Sequence, residues 1–400
     1  MHSLVVPLAL RPPAAGTPAP QPTNGDPAPL AGLDALAGWD DADLVLGYLP
    51  PGDGLEATVA ALGRRFPAAR VAGCEAVTQF VAGSLAAGGV LHLFRFDVPG
   101  HGAEVEVVPG SVERPPDPAR LAACAEKLAA GTPVLVVADG LRFPAEPALA
   151  VVRRELARRG VAGPPPVAGG LASQAEPIEG EGARVFADGR VFDSACLAVA
   201  LSGVRAHLEV VRGWDPASPV YTVTRAAGKV LHEIEGEPAV DFYRRFFTVD
   251  GRLAPLPETS WRFPLIVEGP APERSGLYRS MRFFDDPPGA VTLWGEVETG
   301  DRVRLGMGNE ASLVARAAAL AGTGGEASPE AAVLYSCVGR EAVLGDGARR
   351  EVAAVHRALG GVPLSGFFSF GEIGPTPAGG PAFYNHTAIL VLLAEEEPAA

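Results

Sequence analysis

The sequence predicts an α/β protein of two domains, in which helices cover mixed β-sheets. The main observation is a repeated order of elements. A strand, a helix, a second strand that carries glycine near its end, and a further strand occur three times. A chain of 400 residues is also long for a single core, and its 48% hydrophobic content is enough to fill more than one. We therefore expect about three related β-α-β-β units plus a β-rich segment.

The first unit begins at the apolar run that follows Asp43. Its predicted elements are a strand at 44–48, a helix at 54–66, and strands at 70–74 and 90–96. About 30 residues separate the first strand from the glycine of the second, which is the length of one βαβ unit. This spacing predicts two parallel strands joined by a crossover helix.

The second unit repeats this order, and its helix is clearly amphipathic. Leu149, Val152 and Leu156 lie on one helical face, with arginines on the other. The predicted elements are a strand at 134–138, a helix at 145–159, and strands at 166–170, 182–186 and 194–201. The arginine face is expected to be solvated.

The third unit has the same pattern near the C-terminus. Its predicted elements are a strand at 333–336, a helix at 347–359, and strands at 363–366 and 388–394. Before it, the run Trp294-Gly295-Glu296 indicates a strand within a β-rich segment between about 260 and 310.

Three regions follow from these units. Residues 1–31 are rich in Pro and Ala and lack apolar periodicity, so they are expected to form a disordered tail. Residues 32–212 form a first domain with two units. Residues 213–396 form a second domain, in which the β-rich segment joins the third unit.

Composition excludes several classes of partner. A formal net charge of -14 argues against nucleic acid or an anionic membrane, because both attract basic surfaces. No apolar run approaches the roughly 20 residues that span a bilayer, and no secretory leader is apparent. The four cysteines are far apart, which predicts reduced thiols in the cytoplasm and neither a zinc site nor disulfides.

Glycines near the ends of second strands form the first candidate site. Gly169, Gly170 and Gly366 lie at matching places in the second and third units. A glycine there permits a sharp turn or lets a ligand approach the backbone. Both interpretations remain open from the sequence.

Polar residues after the strands of the third unit form the second candidate site. Cys337, Arg340, Glu372, Asn385 and Thr387 stand between apolar runs. Buried polar groups are costly unless something satisfies them, and open α/β sheets bind ligands at strand ends. Arg340 offers a fork for a carboxylate, and Glu372 a partner for an ammonium group. The alternative is a buried Arg340–Glu372 ion pair that only orders the loops.

Several stretches resemble the FIST proteins, a sensory family with paired N- and C-terminal FIST domains. The stretches that carry the resemblance are 166–170, 184–190, 213–216, 221–224, 230–239, 337–340, 366–375 and 385–387. The segment at Gly73-Cys74 departs from the family pattern, because it lacks the usual Ser-Thr and the later Gly-Glu.

The resemblance implies a cytoplasmic sensory module that binds a small ligand, such as an amino acid, without catalysis and without a cofactor. It also implies a signalling protein, such as a kinase or cyclase, encoded separately. Two alternatives remain. A histidine such as His386 would serve as axial ligand in a haem-based nitric oxide sensor, or Cys337 would be the nucleophile of a thiol-dependent enzyme.

Overall fold

A computed structural model describes residues 1–8, 36–52, 54–86, 88–161, 163–174, 182–269, 274–320, 328–376 and 379–397. Within these residues, mixed β-sheets are covered by α-helices, as the sequence predicts. No helix of this part of the chain is long and apolar enough to cross a bilayer.

The chain opens with a strand and continues into unit 1, which spans residues 44–109. The elements are β1 (His2–Leu8), β2 (Leu44–Leu49), α1 (Leu55–Arg65), β3 (Arg70–Glu75), β4 (Gln79–Val81), β5 (Ser84–Leu85), β6 (Gly89–Arg95) and β7 (Gly102–Pro109). The predicted helix and three strands of this unit are confirmed to within one or two residues.

Unit 2 spans residues 118–211. Its elements are α2 (Pro118–Ala129), β8 (Val134–Ala138), α3 (Ala145–Arg158), β9 (Val167–Leu171), β10 (Val185–Ala187), β11 (Arg190–Phe192), β12 (Ala195–Ser202) and β13 (Val204–Val211). Asp117 caps α2, because its side chain accepts a hydrogen bond from Ala119 N and Pro118 occupies the first helical turn.

The β-rich segment spans residues 215–307. Its strands are β14 (Asp215–Pro216), β15 (Tyr221–Ala227), β16 (Val230–Ile234), β17 (Glu237–Pro238), β18 (Thr248–Val249), β19 (Arg252–Leu253), β20 (Leu265–Glu268), β21 (Ser275–Arg279), β22 (Met281–Phe284), β23 (Val291–Leu293) and β24 (Arg302–Met307). Helix α4 (Ala239–Phe247) and a 3-10 helix (Glu258–Arg262) interrupt the strands. Nine of the strands form one antiparallel sheet.

Unit 3 spans residues 310–395. Its elements are α5 (Glu310–Leu320), β25 (Ala331–Cys337), α6 (Val338–Leu344), α7 (Gly347–Ala358), β26 (Leu364–Ser369), β27 (Glu372–Pro375), β28 (Pro381–Tyr384) and β29 (Ala388–Glu395).

Each unit contributes the centre of one six-stranded sheet. The strand orders are β1-β6-β2-β3-β10-β11 for unit 1, β7-β12-β8-β9-β27-β28 for unit 2 and β13-β29-β25-β26-β4-β5 for unit 3. The crossover pairs β2–β3, β8–β9 and β25–β26 are parallel, and the other pairs are antiparallel. The three sheets therefore share one topology.

The units exchange their hairpins in a closed cycle. Hairpin β4–β5 of unit 1 extends the sheet of unit 3, β10–β11 of unit 2 extends that of unit 1, and β27–β28 of unit 3 extends that of unit 2. The sheets also share outer strands, because β7 pairs with β12 and β13 pairs with β29. Among the described residues, none of the three six-stranded sheets is built from one unit alone.

Alternation along the strands produces a central core and separate outer cores. On β8, Leu135 and Val137 face the central core that the sheets share. Val134 and Val136 face outward and pack against α2 and α3. The outer faces of the other two sheets carry α1 and the α5–α7 pair in the same way.

The predicted disordered tail is wrong for its first residues. His2–Leu8 form β1, which pairs in register with all of β6, and the Leu8 side chain is buried. Val5 and Val6 favour an extended backbone, and the seven residues suffice for an edge strand once a partner is available. Residues 9–31 of the predicted tail lie outside the described residues.

Candidate functional site

A cavity of about 320 Å³ lies where both halves of the chain meet. We call it the junction cavity. Its lining residues are Val77, Gln174, Trp261, Ser280, Trp294, Cys337, Val338, Gly339, Glu341, Ala342, Phe370 and Asn385. They come from loops after β3 and β9, from the β-rich segment, and from the ends of strands in unit 3. The carboxyl end of the parallel pair β25–β26 is thus at the cavity, where α/β sheets commonly bind ligands.

Aromatic rings form much of the cavity wall. The rings of Trp294 and Phe370 are nearly parallel, with centroids 5.4 Å apart. Trp261 is fixed by a hydrogen bond from its Nε1 to Met281 O at 3.0 Å. The guanidinium of Arg282 stacks on Trp294 at 4.8 Å, although Arg282 does not line the cavity. Such walls favour a ligand with an apolar or planar body.

Asn385 presents an unsatisfied acceptor at this site. It follows β28 directly, its side chain is 1% exposed, and its Oδ1 has no hydrogen-bond partner. Buried polar atoms are almost always paired, because an unpaired one costs about 1–3 kcal/mol. A donor from a bound molecule would remove this penalty if the amide turned so that Oδ1 faced the cavity.

The Ser280 hydroxyl reaches the cavity from the β-rich segment and is held by His386. His386 Nε2 lies 2.9 Å from Ser280 Oγ, and Trp214 Nε1 donates to His386 O at 2.9 Å. Burial, assisted by Arg340, lowers the pKa of His386 to about 3, so the ring is neutral at physiological pH. His386 does not line the cavity, and no other histidine does among the described residues.

Glu341 is the one carboxyl group on the described lining. It lies in the first turn of α6 and is half-buried. Burial raises its pKa, and a hydrogen bond with Thr78 offsets part of that effect. No lysine or arginine is among the described residues that line the cavity.

Cys337 ends β25 and lines the cavity with a largely buried thiol. Burial raises the pKa of this thiol well above its ordinary value, and the neighbouring Glu372 adds to the shift. The nucleophile in thiol chemistry is the thiolate, which this environment disfavours. All four cysteines are free and buried.

Glu372 lies behind the cavity wall, in a polar network with Thr387. Its Oε2 accepts from Thr387 Oγ1 at 2.7 Å, and its Oε1 lies 2.6 Å from Ser369 Oγ. Burial raises the pKa of Glu372 to about 8. A protonated Oε1 donates to Ser369 Oγ, which then donates to Ser336 O at 3.3 Å, so the neutral acid satisfies every member of the network.

Arg340 does not pair with Glu372. Its side chain is completely buried and donates to Glu351 of α7 and to Leu313 O of α5. It therefore holds three helices together, and it does not line the junction cavity. The alternative of an Arg340–Glu372 ion pair is therefore wrong, because the guanidinium reaches toward the helical layer and pairs with Glu351.

The three predicted glycines lie inside strands, away from the cavity lining. A Cβ at Gly169 would lie 2.1 Å from Val136 O, and one at Gly366 would lie 1.9 Å from Leu334 O. A Cβ at Gly170 would meet the rings of Phe367 and Tyr335 at 3.0 Å. Close approach of the parallel neighbour strand and of core side chains accounts for these residues.

Of the predicted site residues, the structure brings Cys337 and Asn385 to the cavity and places Glu372 and Thr387 just behind it. The sequence prediction missed the residues contributed from elsewhere, chiefly Trp261, Ser280, Trp294 and Glu341. The chain has only four Trp residues, and two of them line the cavity. The rarity of Trp was the sequence feature that could have marked Trp261 and Trp294 as candidates.

Comparison with known proteins places both halves of the chain in one family. Residues 43–237 match the model of the FIST N domain, and residues 239–375 match that of the FIST C domain. An uncharacterised protein of Mycobacterium tuberculosis is 30% identical over 227 residues, covering 53% of this chain and 57% of the relative. An uncharacterised protein of Mycobacterium bovis is 31% identical over the same shares. The match thus spans little more than half the length of these curated relatives.

Proposed function

Because the chain belongs to the FIST family, whose domains are sensory domains of signal transduction, we propose that it is a cytoplasmic sensory module that binds a small ligand in the junction cavity without catalysis. The observation that carries the proposal is the unpartnered Oδ1 of Asn385, a residue that lines a mainly apolar cavity together with three aromatic residues. This combination is typical of small-molecule sites, which pair apolar walls with a few directed polar groups.

The protonation states of His386 and Cys337 support binding and not catalysis. A general base works best with a pKa near the operating pH and within reach of the substrate. His386 is neutral but lies behind Ser280, and the raised pKa of Cys337 keeps its thiol protonated. Neither group is poised as an activated nucleophile or base.

The position of the cavity supports a sensory role. A ligand in the cavity contacts loops of the N-terminal half, the β-rich segment and unit 3 at once. Its binding therefore favours the arrangement of these three parts in which it makes the most contacts. A separately encoded signalling protein, such as a kinase or cyclase, would respond to the resulting change in packing.

Native mass spectrometry tests this proposal with a cavity-filling variant. Ala342 lines the cavity, so Ala342→Trp should fill it, whereas Ala57→Trp adds the same bulk to an exposed position of α1. We expect natively purified wild-type protein and Ala57→Trp to carry a small molecule that Ala342→Trp lacks. Equal retention by both variants, or no retained molecule in the wild type, would contradict the proposal.

A further inference from the structure

We propose that the ligand of the junction cavity is a small amine, with a protonated nitrogen on an apolar or aromatic body, and not a carboxylate or a zwitterion. This inference rests on the proposed function and specifies the chemical class that the cavity accepts. It differs from the amino acid that the sequence resemblance implies.

The charge of the lining disfavours a carboxylate. A bound carboxylate needs a cation or several N–H donors to replace the water it loses. Arg340 supplies neither, because it does not line the cavity and its Nη2 donates to Glu351 and to Leu313 O. Arg282 remains behind the Trp294 ring. Glu341 is the only formally charged residue on the described lining, and its carboxylate repels an anion.

Two acceptors favour a ligand that donates hydrogen bonds. Asn385 lines the cavity, and a turn of its amide would bring the buried, unpartnered Oδ1 to a ligand. Glu341 lines the same cavity from α6. An ammonium group carries three donors and a positive charge, so it satisfies the amide oxygen and pairs with the carboxylate. Ser280 Oγ, already fixed by His386, adds a further polar contact at the wall.

The aromatic residues fit the rest of such a molecule. Trp261, Trp294 and Phe370 present ring surface, and indole rings attract cations as well as apolar groups. A volume of about 320 Å³ lies at the lower end of small-molecule sites, which suits a single ring with a short side chain.

Three compounds of similar shape and different charge test the inference on the full chain. They are 2-phenylethylamine, phenylalanine and 3-phenylpropionate, which carry an ammonium group, both charges and a carboxylate. By isothermal titration calorimetry we expect the amine to bind at least about tenfold more tightly than either other compound, a difference of about 1.4 kcal/mol. Equal or tighter binding of phenylalanine or phenylpropionate would overturn the amine class and leave the proposed ligand site standing.

Variants then assign the contacts. Glu341→Gln and Asn385→Leu should each weaken the binding of 2-phenylethylamine about tenfold or more, and Asn385→Asp, which keeps an acceptor, should retain it. Glu113 is exposed and is not among the residues that line the cavity. Glu113→Gln is therefore the control and should bind 2-phenylethylamine as the wild type does. Unchanged affinity in both Glu341→Gln and Asn385→Leu would overturn the inference.

Absence of binding by all three compounds would also contradict the amine class. The proposed function is then decided separately by the retained molecule and the Ala342→Trp variant. A retained molecule without a basic nitrogen, lost on Ala342→Trp, would refute the amine and support the site.

Discussion

Arg340 and Glu351 form an ion pair in which both side chains are completely buried, and it joins α6 to α7 at the back of the cavity wall. Glu351 also accepts a hydrogen bond from Ser336 Oγ at 3.3 Å, and Arg340 donates to Leu313 O. The pair therefore links β25 with all three helices of unit 3, and its role is structural.

Arg340→Met should lower the free energy of unfolding by roughly 3–5 kcal/mol, because it leaves the Glu351 carboxylate buried without its partner. The double change Arg340→Met/Glu351→Gln should recover much of this loss, as measured by urea unfolding. The half-exposed pair of Arg350 and Glu310 is the control, and Arg350→Met should change stability by no more than about 1 kcal/mol. A double variant no more stable than Arg340→Met would contradict the pairing.

Glu372 should make stability depend on pH. Its pKa is about 8 in the folded protein and 4.5 ordinarily, so between these values the folded state holds a proton that the unfolded state has released. Stability contributed by this group therefore falls as pH rises from about 4.5 to about 8. Glu372→Gln removes the titration, and its amide keeps a donor for Ser369.

The measurement is the unfolding free energy of wild type and Glu372→Gln at pH 5.5 and pH 8.5. The variant should gain stability relative to the wild type at the higher pH. Subtraction removes the effect of His386, which is present in both proteins. The control Glu113→Gln should follow the wild type at both pH values, and a difference for Glu372→Gln that does not vary with pH would refute the raised pKa.

Gly169→Ala should destabilise the protein by at least about 1–3 kcal/mol, because the new methyl group collides with Val136 O of the parallel strand. Gly102 is a matched control, since it also lies in a strand and a Cβ there meets nothing within 4 Å. Gly102→Ala should be neutral or slightly stabilising. Thermal and urea unfolding measure the stability of both variants. An equal loss of stability in Gly169→Ala and Gly102→Ala would show that the contact with Val136 O is not the reason for glycine at position 169.

Strand β1 should contribute measurably to stability. Leu8→Ala should cost about 2–5 kcal/mol, because Leu8 packs into the outer core beneath α1. The neighbouring Pro7 is exposed, so Pro7→Ala should change stability by about 0.5 kcal/mol or less. Deletion of residues 2–8 should lower the melting temperature, and an unchanged value would show that pairing with β6 adds nothing.

The sequence predicts the units well because their strands and helices have strong periodicity. Helix α3 and strands β2, β8 and β29 begin and end within one or two residues of expectation. The resemblance to the FIST family is likewise confirmed by the family models. These features depend on local patterns, which a single sequence displays directly.

The missed features depend on contacts between distant segments. Glu351 belongs to a helix whose charged residues are normally solvated, so nothing local distinguished it as the partner of Arg340. Strand β1 forms its backbone hydrogen bonds with β6, which lies more than 80 residues away in the sequence. Trp261 and Trp294 reach the cavity only because the β-rich segment folds over unit 3.

The cyclic exchange of hairpins constrains how this protein can be divided or moved. A cut between the matched FIST N and FIST C segments strips β27–β28 from one sheet and β4–β5 from another, leaving unpaired edges that invite aggregation. The halves are therefore inseparable as folding units, and expressing either alone should yield insoluble chain. Interlocked sheets also cannot swing apart about a hinge. A structural change caused by a bound ligand must therefore be transmitted by small shifts of the loops and of the β-rich segment that surround the cavity.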